Sequence, residues 1–357
     1  MQTQDWPYAP QSDNRTPFTQ RTPLVQDDLI GEMSTYTTVG NETLLEVGVR
    51  MHVGYTEFVA ANPGVDPYVP GEGFVAVLPT QHILPRAPRR GIIINLAEQR
   101  LYFFPDDGGP VFTGPIGIGD EGQNTPHGNT YVAFKKAYPT WYPPPSIRAE
   151  RPDLPYIVPP GIDNPLGTHA IYLGWPRYLI HGTHKPLGVG RRVSHGCIRM
   201  LPADIPRLFA MVHSGTPVLV MYEPVKIGRH NGQLYLEVHP TLDQAVELER
   251  HYSMTPQPIP DLASRISETA PDMLHRINWD VAQQVALERR GYPVQITDVT
   301  AITSQSDALQ NVIDRNAADA AIKNPASQMN GGGIKSRYNL SLNEAPAQAA
   351  EKSPAQR

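Results

Sequence analysis

Residues 178–200 read YLIHGTHKPLGVGRRVSHGCIRM. The stretch opens on an apolar run, Tyr178-Leu179-Ile180, which predicts a strand that ends on the imidazole of His181. It closes on Ser194-His195-Gly196-Cys197, where Gly196 permits a tight backbone turn, followed by Ile198-Arg199. Three histidines and the single cysteine of the chain fall in this one segment. A thiol has an ordinary pKa of about 8.5, so little of it is thiolate at neutral pH without a base or cation beside it. Histidine, near 6.5, is suited to take that proton and return one to a leaving amine. Consecutive N–H groups at a glycine turn suit a developing oxyanion. The pattern points to a nucleophile and its base, with the sulfur expected to be kept ionised by the imidazole sixteen positions upstream. The same residues leave two other readings open. A lone thiol is often an inert buried side chain, and His181-x-x-His184 with His195-x-Cys197 offers four N/S donors of the kind a zinc peptidase uses.

Around this segment the chain is rich in short β-runs. Ile92–Leu96 and Arg100–Phe104 predict a hairpin across Ala97-Glu98-Gln99. Further strands are predicted at 111–117, 130–134, 170–173 and 218–222, separated by Pro- and Gly-rich connections. One helix is predicted, with Pro202 as an early residue, Ile205, Leu208, Phe209 and Val212 at helical spacing, and an end near Gly215. Many short strands with one helix imply a mostly β fold, a β-sandwich or partly closed barrel. Upstream, residues 36–78 read strand, helix, helix, strand, with Asn41 a candidate cap and Gly48 weakening the first helix. Downstream, Gln233–Val238 predicts a strand, and 242–250 and 279–290 predict helices. His230, His239 and His251 read as surface residues. Gly188-Val189-Gly190 lacks a strand–helix context, so it reads as a loop and not as a nucleotide site.

The decisive motif resembles that of the L,D-transpeptidase (YkuD-like) family: His181, twelve intervening residues, then Ser194-His195-Gly196-Cys197 and Ile198-Arg199. Gly117-Ile118-Gly119, Thr125-Pro126, Trp141-Tyr142-Pro143-Pro144, Pro159-Pro160-Gly161 and Asn164-Pro165-Leu166-Gly167 agree with it. Residues 35–79, with Thr43-Leu44, Asn62-Pro63 and Pro70-Gly71, resemble a LysM module, a small α+β glycan-binding unit. These resemblances imply a flexible leader at 1–34, the LysM-like module at 35–79, an L,D-transpeptidase domain at 90–225, an extension at 226–300 and a disordered tail at 301–357. They further imply Cys197 as nucleophile and His181 as proton donor and acceptor. The Gly182 carbonyl would orient His181, the Gly196 and Cys197 N–H groups would bind the oxyanion, and His195 would organise the pocket. Ser194, Arg199, His184 and Arg192 would meet the substrate, with His184 a departure where relatives often carry Asn. The implied substrate is the peptidoglycan tetrapeptide, opened through a thioester with loss of D-Ala. The acceptor would be a diaminopimelate amine, a lipoprotein lysine or water, the last giving a carboxypeptidase. No cofactor is required, and the implied compartment is the periplasm. The rival readings are a zinc-dependent peptidase and a catalytically inactive peptidoglycan-binding protein.

Composition narrows the classes. With 30 Lys+Arg against 35 Asp+Glu the net charge is −5, which argues against a nucleic-acid binder. Proline, 38 residues, disfavours a helical bundle, and one cysteine excludes an intrachain disulfide. No apolar run reaches the ~18–20 residues of a membrane span. The N-terminus MQTQDWPYAP shows no signal-peptide pattern.

Overall fold

The structure is a computed structural model that describes residues 27–120, 125–194 and 196–299. The first elements are β1 (Leu29–Gly31), β2 (Ser34–Thr37), α1 (Leu44–Met51), α2 (Tyr55–Ala61), β3 (Val75–Leu78) and β4 (Gln81–Ile83). β2 and β3 pair antiparallel, and Leu44, Val47, Val53, Phe58, Ala76 and Leu78 form a small core between them and the helices. The cap of α1 is Thr43 and not Asn41. The Thr43 hydroxyl accepts from the Glu46 amide at 3.1 Å while the Glu46 carboxylate accepts from the Thr43 amide at 2.9 Å, so two otherwise orphaned donors are satisfied together. Gly48 has a packing role that propensity does not show. A Cβ there would lie 2.9 Å from the Val53 carbonyl oxygen and 3.3 Å from the Phe58 ring, so glycine is what lets α1 and α2 approach. β1, inside the stretch expected to be a flexible leader, is paired instead with β4.

The central domain runs through β5 (Gly91–Asn95), β6 (Arg100–Phe104), β7 (Phe112–Gly119), β8 (Gly128–Ala137), α3 (Pro145–Glu150), β9 (His169–Leu173), β10 (Leu179–His181), β11 (Arg192–Ser194), β12 (Ile198–Met200), α4 (Ile205–Met211) and β13 (Pro217–Met221). Eight strands pair in the order β7-β12-β10-β9-β8-β13-β5-β6, and β6 returns to β7, so the sheet closes on itself. β11 lies parallel to the end of β7. Alternation along the strands drives this closure. Ile92, Ile94, Ile116, Ile171, Ile180 and Ile198 share one core, to which α4 adds Ile205 and Leu208. The opposite faces of β5 and β6 bury Ile93, Tyr102 and Phe104 against Leu84. α4 starts at Ile205, after the N-cap Asp204 and later than Pro202, and Pro206 falls in its first turn, where the missing N–H is not needed. α3 is a second short helix the sequence did not signal.

The C-terminal part contains β14 (Val225–His230), β15 (Gln233–Val238), α5 (Leu242–His251), α6 (Leu262–Thr269), α7 (Trp279–Glu288) and β16 (Val294–Gln295). The strands form one antiparallel sheet, and Leu262, Ile266, Val281 and Val285 pack with Leu234 and Leu236 in a core of their own. The tail expected to be disordered at 301–357 lies outside the described residues.

A buried charge cluster joins the three parts. The Lys226 ammonium of β14 donates to Glu98 at 2.6 Å and to the Ile83 carbonyl at 2.7 Å, and lies 2.7 Å from Glu237 of β15. Tyr102 donates to Glu98, and His239 Nε2 sits 2.8 Å from Glu237. Nearby, Arg100 grips Glu57 of α2 with both carboxylate oxygens at 2.7–2.8 Å. His239 is 2% exposed, so its reading as a surface residue is corrected.

Candidate active site

β10 and β12 are adjacent and parallel, with Ile180 opposite Ile198 and His181 opposite Arg199. Ile180 and Ile198 enter the barrel core, so alternation turns His181 and Arg199 to the outer face. Leu179 and Cys197, one step earlier, face the same way and pack with Leu166, Ala170, Trp141 and Tyr172. His181 and Cys197 are thus two residues along and one strand across. At ~3.3 Å per residue and ~4.8 Å per strand, that separates their Cα atoms by about 8 Å, within the combined reach of the two side chains.

His181 is 4% exposed, and its Nδ1 lies 2.6 Å from the Gly182 carbonyl oxygen. A carbonyl can only accept, so Nδ1 carries the hydrogen and Nε2 is left as the base. Burial pushes the imidazole pKa down to about 3, the nearby Arg199 guanidinium pushes the same way, and the Gly182 contact opposes them. Gly182 itself is tightly placed: a Cβ there would meet Ile205 Cγ2 at 3.1 Å and the Leu166 carbonyl oxygen at 3.3 Å.

Cys197 is half-buried, and its thiol donates to the Arg177 carbonyl at 3.4 Å. Burial pushes the thiol pKa up, against the Leu179 N–H and the Arg199 charge, which favour the thiolate. The sulfur is therefore protonated at rest. This corrects the expectation of a sulfur kept ionised, because crowding by Leu179, Tyr172 and Trp141 outweighs the cation nearby. Arg199, half-buried on the same face, lies within electrostatic reach of both reacting side chains.

The turn that carries Cys197 is braced from both sides. The Ser194 hydroxyl donates to the Cys197 carbonyl at 2.5 Å, and the Ser194 carbonyl accepts from the Asp120 amide at 2.8 Å. The Thr125 hydroxyl donates to the Gly196 carbonyl at 2.9 Å and accepts from the Gly119 amide at 3.2 Å. Holding the Gly196 carbonyl fixes the 196–197 peptide plane, and a trans peptide then directs the Cys197 N–H away from Thr125. Gly196 has φ +97°, a conformation that favours glycine. His195 lies outside the described residues. His184 is exposed, and partial burial with Lys185 and Arg199 lowers its pKa. Arg192, half-buried on β11, donates to the Gly119 carbonyl at 3.4 Å.

Thr125 and Asn164 sit in stretches the motif comparison picked out, yet their tasks are visible only here. Asn164, fully buried, donates to the carbonyls of Pro139, Val158 and Pro159 at 2.8–3.2 Å and accepts from the Leu166 amide at 2.9 Å. It thereby gathers the loop that brings Trp141 over Cys197. Arg177 was not signalled at all, since its part is played by its carbonyl. For a metal, the converging ligand atoms among the described residues belong to His82, Glu98 and Glu237, within 4.8 Å of one another. The Lys226 ammonium already lies against both carboxylates and supplies the cation there.

A sequence model of the L,D-transpeptidase catalytic domain (YkuD) matches residues 89–220. The probable L,D-transpeptidase YcfS of Escherichia coli K12 is 40% identical over 278 residues, 75% of this chain and 85% of that protein. The probable L,D-transpeptidase ErfK/SrfK of the same strain is 39% identical over 279 residues, 75% and 87% of the two chains. The probable L,D-transpeptidase YbiS, also of that strain, is 43% identical over 219 residues, 59% and 71%.

Proposed function

The chain belongs to the L,D-transpeptidase family, and from that premise we propose that it cleaves and re-forms peptidoglycan stem peptides through a thioester on Cys197. The observation that carries the reading is the register of β10 on β12, which puts a neutral imidazole with an unprotonated Nε2 and the only thiol of the chain on one outward face.

The thiol rotates from the Arg177 carbonyl towards His181, and Nε2 takes its proton as the sulfur attacks the carbonyl of the third stem residue. The Gly196 and Cys197 N–H groups receive the developing oxyanion. The carbon–nitrogen bond to the terminal D-Ala then breaks, and the imidazolium gives its proton to the leaving amine. A primary amine, from a second diaminopimelate side chain or a protein lysine, attacks the thioester and loses its proton to His181. The thiolate departs and is reprotonated. Ser194 and Thr125 hold the turn, Arg199 supports the thiolate, Arg192 and His184 border the substrate, and His195 is assigned the part of pocket organiser. The β2–α1–α2–β3 unit supports a LysM-like glycan-binding role, and this substrate places the enzyme in the periplasm. Among the described residues no helix is long and apolar enough to cross a membrane.

The test is incubation of the full chain with a disaccharide-tetrapeptide, with and without an amine acceptor, read by mass spectrometry. Loss of D-Ala and a transfer product that survive EDTA and vanish in Cys197→Ala are the expected result. Turnover retained by Cys197→Ala overturns it.

A further inference from the structure

The N-terminal unit bonds to the barrel backbone at Val189 and Gly190. At the start of α2, the Tyr55 amide donates to the Val189 carbonyl at 3.2 Å and the Thr56 amide to the Gly190 carbonyl at 3.0 Å. The Thr56 hydroxyl donates to that same Gly190 carbonyl at 2.7 Å. Contact is so close that a Cβ on Gly190, whose φ is +83°, would fall 2.2 Å from the Tyr55 nitrogen. The next residue, Arg191, lays its guanidinium 3.6 Å from the centre of the Tyr55 ring and donates to the Tyr68 hydroxyl at 3.1 Å. Both aromatic residues belong to the N-terminal unit.

Immediately after Gly190 the chain builds the nucleophile's support. The Gly190 amide donates to the Ile116 carbonyl and the Ile118 amide to the Arg191 carbonyl, which sets β11 on β7. β11 ends at Ser194, whose hydroxyl ties the Cys197 carbonyl. β11 has only three residues, so few ladder hydrogen bonds hold it on β7. Its register shifts between Arg192 and Ser194, so the anchor just before it carries the alignment.

We propose that Thr56 is a positioning residue for Cys197, fixing the Gly190 carbonyl and, through β11, the geometry of the Ser194–Cys197 turn. The N-terminal unit is then part of the catalytic apparatus, in addition to any glycan it holds. The inference rests on Cys197 being the reacting group, but alkylation reads the sulfur whether or not stem peptides are the substrate.

Thr56→Val removes the hydroxyl and keeps the shape, and Thr56→Ser keeps the hydroxyl. Each full-length variant is alkylated with iodoacetamide across pH 6–10, and kcat and KM are measured on a sugar-free tetrapeptide, which takes glycan affinity out of the comparison. Thr56→Val is expected to move the pH profile of Cys197 alkylation and to lower kcat about 3- to 10-fold with KM unchanged, the size of one lost hydrogen bond. Thr56→Ser restores both. If Thr56→Val does not fold, Tyr68→Phe, which deletes one oxygen from the Arg191 contact, must itself shift the alkylation profile away from that of the wild type. An unchanged profile and kcat in a folded Thr56→Val, a loss that Thr56→Ser fails to restore, or an unchanged profile in Tyr68→Phe overturns the proposal. A wild-type chain that is alkylated at Cys197 but leaves the tetrapeptide intact overturns the assigned reaction and leaves this inference to the alkylation data.

Discussion

Replacing Lys226 by methionine isolates the electrostatics of the buried cluster, because methionine has similar length and no charge. The ammonium is 1% exposed and lies between two carboxylates, Glu98 and Glu237, that are 1% and 0% exposed. Burial alone would raise the Glu237 carboxyl, but Lys226, with hydrogen bonds to His239 and His82, holds it well below the usual carboxylate range. Breaking one side of such a buried arrangement costs about 3–5 kcal/mol, since a charge is left without compensation. The sign with pH is definite. In the wild type the depressed Glu237 stabilises the fold above the unfolded carboxylate pKa, and that contribution is lost as pH falls through the lower folded value. In Lys226→Met the same carboxyl loses its cation, burial raises its pKa, and the penalty at pH 7 shrinks as acid protonates it, by up to about 1.4 kcal/mol per pH unit. Urea denaturation followed by tryptophan fluorescence between pH 5 and 8 measures this. The variant is expected to be least stable relative to wild type at pH 8 and to recover towards pH 5. Adding Glu237→Gln should return part of the loss. A loss below about 1 kcal/mol, or one that does not change with pH, refutes the claim that Lys226 neutralises this cluster.

Two further outcomes test the site, and a third the loop beside it. Cys197 alkylation should be slow at pH 7 and rise through the alkaline range, with no inflection between pH 5 and 8, because burial holds the thiol up and His181 near about 3. His181→Gln should leave that alkylation profile nearly in place while lowering tetrapeptide turnover ~10²–10⁴-fold, the usual range for a lost general base. Asn164→Leu should strand the Pro139 and Pro159 carbonyls and the Leu166 amide, cost roughly 2–4 kcal/mol, and open the 139–167 loop to limited proteolysis before the barrel core melts.

The candidate site was legible in outline because it is local: His181, Gly182, Ser194 and Cys197 share one short segment, which the register of β10 on β12 gathers on one face. The strands of the barrel were legible as apolar β-branched runs such as Ile92-Ile93-Ile94. Closure was not, since it rests on β6 returning to β7 and on β5 pairing parallel to β13, contacts that no local pattern encodes. Asn41 and Thr43 are both good caps by type, and the choice between them was made by Glu46 lying three residues after Thr43. The buried cluster was invisible for a related reason. Its members are drawn from residue 57 to residue 239, and a histidine in isolation looks the same whether it ends on the surface or, like His239, beside Glu237. The thiol was misjudged because a sequence shows which charges are near in the chain and nothing about the solvent a fold removes.

In the thioester mechanism we propose, that removal of solvent changes how the proton must travel. His181 is oriented by a neutral carbonyl, so no full negative charge stands behind it to favour an imidazolium. With a pKa of about 3, protonating it at pH 7 without a compensating charge costs about 5 kcal/mol. A turnover of 1–10³ per second corresponds to a barrier of roughly 13–17 kcal/mol. A free-standing ion pair formed before the substrate arrives would therefore use a third of that barrier on the imidazole alone, and more on the raised thiol. Proton transfer simultaneous with sulfur attack avoids this, because the positive charge on His181 forms only as negative charge moves to the substrate oxygen. Arg199 fits the same scheme: its charge favours sulfur anion and disfavours imidazolium, so the resting pair stays neutral until a carbonyl is in place to accept the electrons.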